Sequence, residues 1–148
     1  MPKNNLAVFQ VSLKVLLVNN KKEYLILKTF SRNKFFHDKY DLPGGRINQD
    51  EFKIDFHKLI DREIKEEVGK DVKYKLRPDP VSISKRRYPE KDGGRLFILF
   101  EAKYLKGEIK LSNEHIEYHW KKLNKNNIKN FILGEEDLML NYFKWNKA

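Results

Sequence analysis

The chain has 148 residues, with 31 Lys or Arg against 21 Asp or Glu for a formal net charge of +10, and no cysteine. The length suits one domain with a sizeable core, and the lack of cysteine excludes disulfide staples, thiolate-ligated zinc or iron–sulfur sites and a thiol nucleophile. Charged residues make up 35% of the chain and interrupt every apolar window well before the ~20 residues a membrane-spanning helix needs.

Residues 8–18 predict a strand that begins in alternation and ends in a run apolar on both faces, as a central strand does. Asn19-Asn20-Lys21-Lys22 is a turn signal, and residues 23–30 read as the returning strand of a hairpin. A polar loop over 31–39 is anchored by Phe35 and Phe36, and Asp41-Leu42-Pro43-Gly44-Gly45 breaks regular structure. From Phe52 to Val68 the period turns helical, with Phe52, Phe56, Ile60, Ile64 and Val68 every fourth residue and Gly69 as the stop. Strands follow at 72–76, 81–88, 95–104 and 116–123, with a turn at Lys91-Asp92-Gly93-Gly94. The Lys- and Asn-rich stretch 121–130 carries Leu123 and Ile128, so it is expected to pack. Residues 135–145 predict a terminal helix whose apolar side is Leu138, Met139, Tyr142 and Trp145. The sum is an α/β or α+β domain, a mixed sheet with one helix inserted in the middle and another at the end. The first residues, Met1-Pro2-Lys3-Asn4-Asn5, lack an apolar signal segment. A cytoplasmic protein, monomeric or homodimeric and without a membrane partner, is therefore expected.

The chemistry concentrates in the middle helix. At 100° per residue and with Ile60 at 0°, Glu67 falls near about −20°, Glu63 near about −60° and Glu66 near about −120°. Two carboxylates thus sit in or beside the stripe that should face the core, and the third lies at its edge. Clustered like charges at these spacings repel. A bound hard cation removes the conflict, because Mg²⁺ takes carboxylate oxygens and bridges to substrate phosphates. Ahead of the helix, Pro43-Gly44-Gly45 permits close backbone approaches that residues with a Cβ cannot make.

These residues resemble the signature of the Nudix (MutT-like) hydrolases, G-x5-E-x7-R-E-U-x-E-E-x-G-U with U apolar. Gly45, Glu51, Arg62, Glu63, Ile64, Glu66, Glu67 and Gly69 stand in the corresponding places. Two departures stand out: ten residues separate Glu51 from Arg62 instead of seven, and the last apolar position is Lys70. Asp55 consequently rivals Glu51 for the role of loop carboxylate.

The resemblance implies a single domain over residues 1–148, a Nudix-type α/β/α sandwich, that cleaves a diphosphate bond in a nucleoside-diphosphate-X substrate with Mg²⁺ or Mn²⁺. It implies Glu63, Glu66, Glu67 and the carbonyl of Gly45 as metal ligands, with Arg62 turned away from the metals towards Glu51. A further acid outside the signature completes such sites, and Glu114 and Glu117 are the candidates. His115 and His119 are alternatives as general bases, set against the plainer reading of surface or packed histidines. Arg46, Arg32, Arg95 and Arg87, the last in the triplet Lys85-Arg86-Arg87, are candidate phosphate contacts. Tyr88 stands at about the distance seen in some dinucleoside-polyphosphate hydrolases of the family. Phe97, Tyr40 and Phe35 are candidates to stack on a base. Two alternatives are an RNA 5′-end pyrophosphohydrolase and a non-catalytic RNA- or nucleotide-binding module. Residues 41–71 hold nine acids and six bases, so the basic excess surrounds an acidic centre, as an anionic substrate drawn to cations requires.

Overall fold

The strand at the start of the chain forms as β1 (Phe9–Val18) and is the axis of the structure. The computed structural model describes residues 5–29, 39–87, 93–132 and 134–146. Leu13, Val15 and Leu17 of β1 enter one apolar cluster and Leu16 enters the other, so the strand is buried on both faces, as its sequence predicts. It runs parallel to β7 (Gly94–Lys106), from Phe9 opposite Gly94 to Val18 opposite Lys103. Two antiparallel strands share the far side of β7: β6 (Ser82–Arg87) along its first half and β5 (Lys73–Leu76) along its second.

On the other side of β1 the predicted hairpin opens almost at once. β2 (Tyr24–Thr29) pairs with β1 only at Val18 and Tyr24. It then turns away to pair with β8 (His115–Lys121) and with β3 (Tyr40–Asp41). The edge of β1 left behind is taken by β4 (Gly44–Arg46), with Lys14 opposite Gly44, Leu13 opposite Gly45 and Ser12 opposite Arg46. The Gly-Gly segment, expected to break regular structure, is therefore a short strand docked on the central one. Gly44 has φ of +140°, and a Cβ there would lie 2.0 Å from the carbonyl oxygen of Leu13. Only glycine permits this approach.

The helices cover opposite faces. α1 (Phe56–Glu67) packs Leu59, Ile60 and Ile64 on Leu13, Val15 and Phe100. α2 (Glu135–Trp145) packs Leu138, Met139 and Tyr142 on Leu16, Ile26 and Leu99. Each fully buried aliphatic side chain contributes about 1.5–3 kcal/mol, and β1 contributes to both clusters. α2 is also tied to β6 by hydrogen bonds. Ser82 Oγ donates to the Leu138 carbonyl at 2.6 Å, and Asn141 and Asn146 donate to the carbonyls of Ile83 and Val81 at 2.9 and 2.7 Å. Leu123, Ile128 and Phe131 are buried in the same cluster, so the Lys- and Asn-rich stretch does pack. The result is the expected α/β/α sandwich. Among the described residues, no helix is long and apolar enough to cross a membrane.

One boundary differs from its prediction. α1 begins at Phe56, not near Phe52, and is preceded by a 3₁₀ turn at Gln49–Glu51. Phe52 is 85% exposed, and Phe56, 42% exposed, meets the core edge-on at Phe100. The reason is Glu51. Its carboxylate accepts from the Asn48 N–H at 2.8 Å and also pairs with Arg62. That side chain closes the 3₁₀ turn and cannot also sit in a continuous helix. The chain restarts at Asp55, the N-cap of α1, and the three extra residues are absorbed in the 52–55 link.

Candidate active site

Three segments converge on a cavity of about 610 Å³ on the α2 side of the sheet. The first is the end of α1. Val68 and Ile64 are buried in the core, which turns Glu63 and Glu67 towards β4. Glu67 Oε2 accepts from the Gly44 N–H at 2.8 Å. Glu63 lies so close to Gly45 that a Cβ on that residue would meet Glu63 Oε1 at 2.6 Å. Glu66 sits at the rim with most of its side chain in solvent. The second segment is the link before β8, which brings Glu114 to the same cavity. The third is the Leu42-Pro43 corner with α2 behind it. Glu135 Oε1 accepts from the Leu42 N–H at 2.8 Å, Lys14 Nζ donates to the Leu42 carbonyl at 3.1 Å, and the Val15 N–H donates to the Pro43 carbonyl at 2.9 Å. One helix thus clamps each end of the Leu42–Gly44 corner, Glu67 of α1 at Gly44 and Glu135 of α2 at Leu42. The corner's polar backbone groups are thereby satisfied.

Arg62 pairs with Glu51, and its guanidinium also stands 3.5 Å from Glu63 and 3.8 Å from Glu66. Asp55 is exposed and caps the helix, so the loop carboxylate beside Arg62 is Glu51. The insertion leaves this pairing intact because it falls between the two partners, in the 52–55 link.

The remaining residues singled out by sequence divide. Arg46 and Arg95 line the cavity. Arg46 donates to Gln10 at 3.1 Å, and Arg95 lies over the Phe97 ring at 5.9 Å. Phe97 belongs to the core and also forms part of the cavity wall. Glu117 is not brought to the cavity. It points from β8 towards Lys28 and His119, at 3.4 and 3.3 Å, and the hydrogen bond from His119 holds its carboxyl below the usual range. Lys85, Arg86 and Arg87 all line a separate groove beside residues 5–9, and Arg86 also lies 3.7 Å from Asp137 of α2. None of the three lines the cavity that holds Glu63 and Glu67. Tyr40 packs on Phe131 and His119 with Lys121 over its ring. Arg32, Tyr88 and Phe35 lie outside the described residues.

Sequence reading missed a buried charge network at the cavity floor. Lys14 Nζ lies 3.0 Å from Asp41 Oδ1 and 3.6 Å from Glu135 Oε2, and the His115 Nε2–H donates to Asp41 Oδ2 at 3.1 Å. The available signal was Lys14 itself, a lysine between the buried Leu13 and Val15 of the central strand, which survives burial only when paired. Burial by itself would lower the Lys14 pKa, but the carboxylates of Asp41, Glu135 and Glu67 outweigh it and raise the value. Burial pushes Asp41 up, but Lys14 and the His115 hydrogen bond prevail and hold it well below the usual carboxylate range. Burial and the neighbouring Asp41 push Glu135 well above that range. Glu67 is pushed up to about 7 by burial, against the pull of Lys14 and the Gly44 N–H. Burial and the Glu66 charge likewise raise Glu63.

Raised values at Glu63 and Glu67 mean carboxylates short of positive charge. Glu63, Glu66, Glu67 and Glu114 offer oxygen donors only, on one cavity, with the Gly45 backbone beside them. That donor set fits a hard divalent cation.

The NUDIX domain family model matches residues 8–142. The chain belongs to the Nudix family. Comparison with the curated proteins finds no match. Among solved structures, a MutT protein from Methanosarcina mazei Go1 is similar at 26% identity and a TM-score of 0.76, with 96% of this chain and 98% of that one covered. An Ap4A hydrolase from C. elegans, solved as a binary complex, is similar at 18% identity and a TM-score of 0.65, covering 90% and 94%. The NUDIX domain of Shewanella oneidensis NrtR, solved with ADP ribose, is similar at 10% identity and a TM-score of 0.65, covering 96% and 90%. The family match and the MutT likeness make this Nudix protein a hydrolase of the pyrophosphohydrolase type. The Nudix signature runs through α1 and β4, the two elements that meet at Glu67 and Gly44.

Proposed function

We propose that this Nudix hydrolase, a single domain over residues 1–148, cleaves a diphosphate bond in a nucleoside-diphosphate-X substrate with Mg²⁺ or Mn²⁺ as cofactor. The observation that carries the reading is the meeting of Glu63, Glu66 and Glu67 with Glu114, from a segment about fifty residues later, in one cavity that also holds Arg46 and Arg95. Glu63, Glu66, Glu67, Glu114 and the Gly45 carbonyl would hold the cations. When bound, such cations neutralise phosphoryl oxygens and activate water.

The chain's own residues divide the remaining work. Arg62, paired with Glu51, holds the flank of Glu63 and Glu66. Arg46 supplies charge for phosphate oxygens, and Arg95 over Phe97 offers a cation and an apolar wall to the rest of the substrate. Lys14, Asp41 and Glu135 hold the Leu42–Gly44 corner that presents Gly45. A cytoplasmic location belongs to the same proposal, supported by the absence of cysteine.

The test is a substrate panel with product identification. Nucleoside di- and triphosphates, dinucleoside polyphosphates, ADP-ribose and a 5′-triphosphorylated oligoribonucleotide are each incubated with Mg²⁺, Mn²⁺ or EDTA. Release of a nucleoside monophosphate from at least one nucleotide, abolished by EDTA, is expected. Turnover of the oligoribonucleotide alone would select the RNA 5′-end reading. Tight binding without turnover of any compound would select a non-catalytic module.

A further inference from the structure

β8 and β2 are in register until Lys28 opposite Glu117, then shift, so that Thr29 faces His115 and Ile116 is left over. The bulge re-aims one side chain, a common device beside functional sites. Without it His115 would share the exposed face of Glu117, two residues on. With it the His115 side chain is 2% exposed. The Nε2–H donates to Asp41 Oδ2 at 3.1 Å, while Asp41 Oδ1 accepts from Lys14 at 3.0 Å. A carboxylate ion-paired to lysine can only accept, so Nε2 is the donor to Asp41 and Nδ1 is the nitrogen left to take a ligand. His115 Nδ1 is buried and finds no hydrogen-bond partner among the described residues. One ligand atom each from His115, Glu67 and Glu114 lie within 4.8 Å of one another.

An imidazole whose far nitrogen is fixed by a carboxylate is the usual way a protein presents histidine to a metal. Resting on the metal-dependent reading above, we propose that His115 is a nitrogen ligand that joins Glu67 and Glu114 in a cation site, and that this site prefers a transition-metal dication such as Mn²⁺ or Zn²⁺ to Mg²⁺. The reason is the donor set. Mg²⁺ takes oxygens and keeps its waters, whereas imidazole with carboxylates suits the first-row transition metals. Glu67 and Glu114 belong to both donor sets, so the two sites adjoin. Lys14 and Asp41 become positioning residues for the imidazole.

The experiment uses Mn²⁺ as probe on the metal-free full-length protein, with pulsed electron paramagnetic resonance as readout. Bound Mn²⁺ is expected to show coupling to ¹⁴N that changes to the ¹⁵N pattern when the histidines are labelled. His115→Gln is expected to abolish the coupling and weaken Mn²⁺ binding about tenfold or more, while competition with Mg²⁺ shows a much smaller change. If His115→Gln does not fold, coupling that persists in His37→Gln, His57→Gln and His119→Gln assigns it to His115 by elimination. Mn²⁺ bound without nitrogen coupling overturns the proposal and leaves the metal-dependent hydrolase standing. Failure to bind Mn²⁺ at all removes both.

Discussion

Glu67→Gln should make the metal-free protein more stable at alkaline pH while abolishing its activity. Glu67 is buried, hydrogen-bonded to the Gly44 N–H and pushed up to about 7, whereas an unfolded glutamate titrates at 4.5. The folded state therefore holds the proton more tightly than the unfolded state. Its stabilising contribution is complete below about pH 4.5 and is lost as pH rises through about 7. At about 1.4 kcal/mol for each tenfold in proton affinity, ionising Glu67 in the fold costs about 3 kcal/mol at pH 8. Glutamine keeps the volume and an acceptor for the Gly44 N–H but cannot ionise. Urea unfolding in EDTA at pH 5, 6, 7 and 8 should give similar stabilities at pH 5 and a lead for the variant that grows to about 3 kcal/mol at pH 8. Added Mn²⁺ should then stabilise the wild type far more than the variant, because binding to the folded state alone raises stability. A variant no more stable than wild type at pH 8 in EDTA would refute the reasoning, since it would mean that Glu67 is not paying a burial cost that a cation relieves.

Lys14→Met should destabilise the protein by about 3–5 kcal/mol at neutral pH, because the Asp41 carboxylate stays buried without its cation. Asp41 is held low by Lys14, so the stability that this pair contributes is lost as pH falls, and the deficit in urea melts should shrink towards acid pH. Glu117→Gln should leave kcat/KM within about twofold of wild type, as expected for a substitution away from the site. A large loss in that steady-state assay would place Glu117 in the chemistry despite its position beside Lys28 and His119.

Local patterns carried much of this protein. Ile60, Ile64 and Val68, the apolar run over residues 96–100 of β7, and Leu138, Met139 and Tyr142 of α2 depend on nearest neighbours along the chain and are buried or half-buried where expected, whereas Phe52, Phe56 and Trp145 of the same patterns are exposed. Glu63 and Glu67 could be placed beside the buried stripe because helical geometry alone sets their angle to Ile60 and Ile64. The signature residues needed nothing more than spacing to be recognised. Pairings between distant segments were another matter. The β1–β2 hairpin gave way because the edge of β1 is better filled by β4, whose two glycines allow contacts no single-strand pattern reveals. The three extra residues before α1 were visible as a count, but that they left the Glu51–Arg62 pair intact depended on where the chain turned. Glu114 and Glu117 looked equivalent in sequence. Their separation comes from the fold of β8 against β2, where the bulge after Lys28 turns His115 inward and leaves Glu117 on the outer face. Lys14, Asp41, His115 and Glu135 come from four separate segments and had no shared motif. The Lys14 and Asp41 charges at the centre of this network are tolerable only together, because a buried ion is stable only where folding supplies its partner.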